Sequence, residues 1–177
     1  EYVEQCEGPE IFDYLDHAFT VMCKSIEEGL DSEGVLPGGL NVPRKASEYY
    51  IKAQGYAENL KRRGMLYSYA LAVSEMNASG GLIVTAPTCG SSGVVPAVLF
   101  QLQNAYGFKR KRLLKALATA GLFGNVAKTN ASISGAEVGC QGEVGVACAM
   151  AAAAATQTFG GSIAQIEYAA EMGLEHH

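Results

Sequence analysis

Apolar residues recur every three or four positions along most of this chain, and that spacing predicts helices nearly throughout. Ile11, Leu15, Phe19, Met22, Ile26 and Leu30 fall on one face of a single amphipathic helix, whose end is bracketed by Gly29 and Gly34. Gly34–Pro43 carries two prolines and three glycines, too many to sustain a helix, and predicts a loop. Helical patterns follow over residues 46–63, 65–78, 94–105 and 109–128, with Pro96 suited to the first turn of its helix. Residues 140–158 are apolar on every side, which predicts a central, buried helix built from glycine and alanine. Ser162 with Gln165 spells a capping box for a last helix over 163–173. Leu82-Ile-Val-Thr85 has strand character and is the one expected interruption. The expectation is an all-α fold, one compact helical domain over residues 1–177.

Composition narrows the classes. With 49% hydrophobic and 18% charged residues the chain suits a folded protein and not a disordered one. A net charge of −5 argues against nucleic acid or an anionic membrane as a partner. The one dense basic run, Lys109-Arg110-Lys111-Arg112, is expected to be a solvated helix face. The polar, acidic opening Glu1–Glu10 does not resemble a signal peptide, and the alanine run at 146–156 is shorter than the ~20 apolar residues of a membrane span. Five scattered cysteines, at 6, 23, 89, 140 and 148, form no disulfide framework and point to a reducing, cytoplasmic compartment. Cys6 and Cys23 are expected to be packing residues, and His17 to be solvated.

Three segments carry candidate chemistry. Asn130–Met150 holds Cys140 and Cys148 among small residues, with the carboxylates Glu137 and Glu143 nearby and glycines at 135, 139, 142 and 145. Removing that much bulk admits a backbone or an inorganic cluster, although a Cys-x7-Cys spacing matches no common zinc signature and buried thiols also serve as small apolar side chains. Glu137 and Glu143 suit acid–base work or helix-end charges alike. Thr85–Pro96 offers the hydroxyls of Thr88, Ser91 and Ser92 with Gly90 and Gly93 just before a helix, which suits an anion cradle or an unoccupied tight turn. Arg44 and Lys45, beside Gly38-Gly39, suit a carboxylate or plain solvent.

Taken together, Gly34-Val-Leu-Pro-Gly-Gly-Leu40, Thr85-Ala-Pro-Thr-Cys-Gly-Ser-Ser-Gly-Val-Val-Pro-Ala97 and Asn130-Ala-Ser-Ile-Ser-Gly-Ala-Glu-Val-Gly-Cys-Gln-Gly-Glu-Val-Gly-Val-Ala-Cys148 resemble the catalytic α domain of iron–sulfur-dependent L-serine dehydratases. They occur in that family's order and the likeness covers nearly the whole chain. The resemblance implies a 4Fe–4S cluster whose unique iron acts as a Lewis acid on L-serine. An α-proton is then removed, hydroxide departs, and the aminoacrylate hydrolyses to pyruvate and ammonia. It implies Cys140 as a cluster ligand, with Cys148 as a second candidate. Thr88, Gly90, Ser91, Ser92 and Arg44 become substrate-binding candidates, and Glu143 and Glu137 the local candidates for catalysis.

The resemblance also implies partners and departures. Relatives continue into a tail with a Cys-Asp-Pro … Pro-Cys pattern that supplies two further ligands, and they pair this domain with a β domain or β chain. This chain ends at Leu174-Glu-His-His177, either native sequence or the start of a histidine tag. It is therefore expected to be incomplete, inactive alone, and to assemble with β partners into a homo-oligomer. Relatives often carry asparagine where Cys89 stands, which leaves the role of Cys89 open. A related cluster-dependent lyase acting on cysteine or threonine, or a non-catalytic helical assembly domain, stays as an alternative.

Overall fold

The structure, a computed structural model, describes residues 1–176; His177, the end of the Leu174–His177 segment, lies outside the described residues. Nine α-helices follow one another among them: α1 (Tyr2–Glu7), α2 (Ile11–Leu30), α3 (Ala46–Gln54), α4 (Glu58–Ala78), α5 (Val94–Tyr106), α6 (Arg110–Asn130), α7 (Gly135–Cys140), α8 (Val146–Thr158) and α9 (Ile163–Glu175). A π-helical turn, Gln141–Gly145, joins α7 to α8. No β-strand is present among the described residues, so the fold is all-α.

The apolar stripes read from the sequence become the core. Leu15, Phe19 and Met22 of α2, Val95 and Leu99 of α5, Leu113 of α6 and Met150 of α8 meet in one cluster. Each such side chain, fully buried, contributes on the order of 1.5–3 kcal/mol. A second cluster joins Ile26, Ala53, Met65, Tyr69, Val73 and Ala97 between α2, α3, α4 and α5. Helix α8 is the central one, packed against α5, α6 and α9, and its alanines let those neighbours approach closely. The capping box of Ser162 and Gln165 forms on α9.

Three expectations need correction. Leu82–Thr85 forms no strand: residues 81–85 run as irregular backbone, with no neighbouring strand to satisfy their N–H and C=O groups. The break between the second and third helical patterns falls at residues 55–57 and not at Gly64. Gly64 lies inside α4 because the helix passes α3 there, and a Cβ on it would come within 2.8 Å of the Ala53 Cβ. The basic run is a solvated face as expected, with Lys109, Lys111 and Arg112 exposed and Arg110 half-buried, but it also makes contacts. Arg110 binds Asp16 of α2 through Nε, donates to the Asp16 carbonyl at 2.9 Å and lies over the Phe19 ring, while Arg112 donates to the Thr158 carbonyl at 2.7 Å. Finally, Cys6 is exposed on α1, a short helix absent from the apolar pattern, whereas Cys23 does pack against the core.

The helical run Gly135–Thr158 reaches 24 residues with a mean hydropathy of 1.3 in its most apolar window, long and apolar enough to cross a membrane by length and composition. Half of that window is buried inside the protein, and its packing is that of a core helix.

Candidate functional site

The hydroxyl loop is built from the end of α4 and the start of α5. Asn77 donates through Nδ2 to the Cys89 carbonyl at 3.1 Å, and Ser92, fully buried, donates to the same oxygen at 2.7 Å. Those bonds turn the chain so that Thr88 and Ser91 lie side by side, their hydroxyls 3.2 Å apart. The Ala86–Pro87 peptide in this loop is cis. Ser91 is buried, Thr88 is half-buried, and Gly90 is exposed. Gly93 caps the start of α5 from a buried position, where a Cβ would meet the Ala70 carbonyl at 2.5 Å. It packs against α4 and does not open onto a ligand.

The glycine-rich segment approaches from the other side. Gly139 takes φ 70°, ψ −165°, a kink that an L side chain resists, and the π-helical turn begins two residues later. Glu143 in that turn is half-buried and accepts a short hydrogen bond from Thr88 Oγ1. A Cβ on Gly135 would fall 2.7 Å from Glu143 Oε2, and one on Gly90 would fall 2.9 Å from its Cδ. The carboxylate thus occupies a niche kept open by one glycine from each motif, beside two hydroxyls. A carboxylate next to hydroxyl donors in a half-enclosed niche can orient a polar substrate or move a proton.

The other candidates are distributed around this point. Glu137 is exposed and accepts from the Ser132 hydroxyl across the 132–137 turn. Cys140 is exposed at the end of α7. Cys148 lies half-buried on α8, its backbone carbonyl close to Gly173 of α9, and burial raises its thiol pKa. Among the described residues no group of three or more His, Cys, Asp or Glu could hold a metal ion.

Arg44 joins a different node. Its Nη2 donates to Ser79 Oγ at 2.5 Å, and Ser79 in turn donates to the Glu75 carbonyl. Glu75, buried on α4, accepts from the backbone N–H of Lys45 at 2.6 Å and of Ala46 at 3.1 Å, so a side chain 30 residues away caps α3. Arg44 Nη1 and Glu75 Oε2 are buried without a hydrogen-bond partner. Sequence reasoning passed over Glu75 and Asn77. The signal was present in Glu75, a carboxylate beside the Met65, Tyr69, Ala72, Val73 stripe on the buried face of α4.

Comparison with known proteins places the sequence in a family. A model of the serine dehydratase alpha chain matches residues 3–177. An L-serine dehydratase of Streptomyces coelicolor is 46% identical over 171 residues, 95% of this chain and 37% of that protein. L-serine dehydratase TdcG of Escherichia coli K12 is 49% identical over 166 residues, 89% of this chain and 36% of that protein. A probable L-serine dehydratase, alpha chain, of Bacillus subtilis is 40% identical over 172 residues, 94% of this chain and 55% of that protein. The chain thus spans between about a third and a little over half of these relatives. By its sequence over nearly its whole length, it belongs to the serine dehydratase alpha chain family.

Proposed function

We propose that this chain forms the α part of an iron–sulfur-dependent L-serine ammonia-lyase, which converts L-serine to pyruvate and ammonia by β-elimination of water. The observation that carries the reading is the Thr88–Glu143 hydrogen bond, which joins the hydroxyl loop to the cysteine-bearing segment. Relatives named L-serine dehydratase support the substrate.

The residues present fit a cluster in part. A ligating thiolate must be deprotonated and must face space for iron and sulfide. Cys140 meets the second condition, being exposed after the Gly139 kink and among small residues, and would hold one iron. Cys148 suits the role less, because burial favours its protonated form. Further ligands in this reading come from outside the described residues. When bound, the cluster supplies a Lewis acid that stabilises negative charge on the departing hydroxide.

The protein's own groups do the rest. Ser91 donates its hydroxyl to the substrate carboxylate, while the Thr88 hydroxyl, which donates to Glu143, and Gly90, which leaves room for Glu143, set the Glu143 carboxylate beside it. Ser92 and Asn77 act through the Cys89 carbonyl, holding the loop in position. Glu143 accepts the α-proton, its oxygens aligned by Thr88. Glu137 shapes the 132–137 turn through Ser132.

The test is steady-state kinetics of the complete enzyme. Glu143→Gln is expected to lower kcat by roughly 10²–10⁴ with little change in KM, and Ser91→Ala to raise KM. Near-normal kcat in Glu143→Gln would remove Glu143 from the chemistry. Faster oxobutyrate release from threonine than pyruvate release from serine would reassign the substrate.

A further inference from the structure

At the corner between α5 and α6, away from the Thr88–Glu143 niche in sequence, lies a cavity of about 570 Å³ lined by Phe108, Lys109, Lys111, Arg112, Lys115 and Gln157. Four cations line it in a chain whose net charge is −5. The ammonium groups of Lys109, Lys111 and Lys115 take part in no ion pair among the described residues. Arg110, the remaining member of the basic run, belongs to Asp16 instead.

All four cations are exposed to solvent, and two features distinguish them from an ordinary surface run. The cations sit at the wrong end of their helix: Lys109 is the N-cap of α6 and makes no side-chain cap, and the first turn holds no acidic residue. A helix N-terminus is the positive end of the backbone dipole, where cations are disfavoured and anions are stabilised. One wall is also rigid. The Arg112 guanidinium is fixed by the Thr158 carbonyl at 2.7 Å and lies 5.5 Å from the centre of the Phe108 ring. Gln157 is held by Thr119 and by the Lys115 carbonyl, and Phe108 packs edge-on against Phe159. A cavity of this volume takes a small molecule, and repulsion among its cations falls when a multivalent anion enters.

We propose that this cavity is a binding site for a small polyanion carrying a diphosphate group. Lys109, Lys111 and Lys115 supply mobile point charges, and Arg112 a fixed planar donor.

Calorimetric titration of the chain with inorganic pyrophosphate at low ionic strength tests this, with ADP as a second arm and circular dichroism as a check on folding. The expected result is saturable one-to-one binding that weakens with added salt. The double variant Lys111→Ala/Lys115→Ala should weaken it about tenfold or more, while Lys24→Ala, an exposed cation on α2, leaves it unchanged. Tighter binding of ADP identifies a nucleotide ligand, and equal binding identifies the diphosphate alone as what is read. Absence of saturation, or equal affinity in the folded double variant, overturns the proposal.

Discussion

Thr88 and Glu143, 55 residues apart in the chain, are joined by a hydrogen bond between the threonine hydroxyl and the carboxylate. The contact depends on missing atoms as much as on present ones. Gly135 comes from the carboxylate's own segment and Gly90 from the hydroxyl loop, and both lie against Glu143. The π-helical turn that carries Glu143 adds a second local irregularity at the same point, and such turns concentrate at functional sites.

Gly135→Ala should therefore separate activity from stability. Its new Cβ meets the end of a flexible side chain, 2.7 Å from Glu143 Oε2, so the carboxylate moves and the backbone stays. Turnover by the complete enzyme is expected to drop at least tenfold with a melting temperature within a few degrees of the parent. Gly29→Ala should behave in the opposite way. There the Cβ meets the Ala72 carbonyl oxygen of α4 at 2.5 Å, and separating α2 from α4 costs about 1–3 kcal/mol. Equal melting temperatures for the two variants would contradict this assignment.

Glu75 holds the start of α3 through two backbone N–H groups. Glu75→Ala leaves the buried Ala46 N–H and the half-buried Lys45 N–H without an acceptor, at a cost of about 1–3 kcal/mol. Glu75→Gln keeps one acceptor oxygen and should recover most of that loss in a denaturant titration. If the alanine and glutamine variants unfold at the same midpoint, the cap is not what Glu75 provides.

The Asp16–Arg110 pair sets a pH dependence. The hydrogen bond from Arg110, aided by its charge and opposed by slight burial, holds the Asp16 carboxyl below its ordinary value. A carboxyl whose folded pKa is lowered contributes stability above its unfolded pKa of about 3.9, and that contribution disappears as pH falls through the folded value. Asp16→Asn should melt below the parent at pH 7, and the gap should close as pH falls well below about 3.9. Because the pair is exposed, added salt should narrow the gap at pH 7 as well. A gap that persists in acid would mean that the asparagine disturbs packing and not charge.

Much of this was legible in the residues. The α2 stripe from Ile11 to Leu30 and the Ser162–Gln165 box give both helices directly, because each is a local pattern. The clustering of Thr88 and Ser91 was also local. What no periodicity reveals is the pairing of distant groups: Thr88 with Glu143, or Glu75 with the N–H groups at 45 and 46. Gly64 reads as a helix end by propensity, yet tertiary contact with Ala53 makes it an interior residue. Leu82–Thr85 has strand composition but no partner strand, and composition alone cannot supply one.

The thiols give the last prediction. Cys89 and Cys140 are exposed, whereas burial pushes the Cys23 thiol up to about 11 and raises that of Cys148 as well. Since the thiolate is the reactive and ligating form, Cys89 and Cys140 should react with a thiol reagent at about pH 8 well before Cys23 and Cys148, as peptide mapping would record. The same contrast bears on metal. In anaerobic reconstitution of the complete enzyme with iron and sulfide, Cys140→Ser should lower the bound iron and change the cluster's paramagnetic resonance signal, while Cys148→Ser leaves both close to the parent. Loss of iron in Cys148→Ser, with Cys140→Ser unaffected, would move the ligand from the exposed end of α7 into α8.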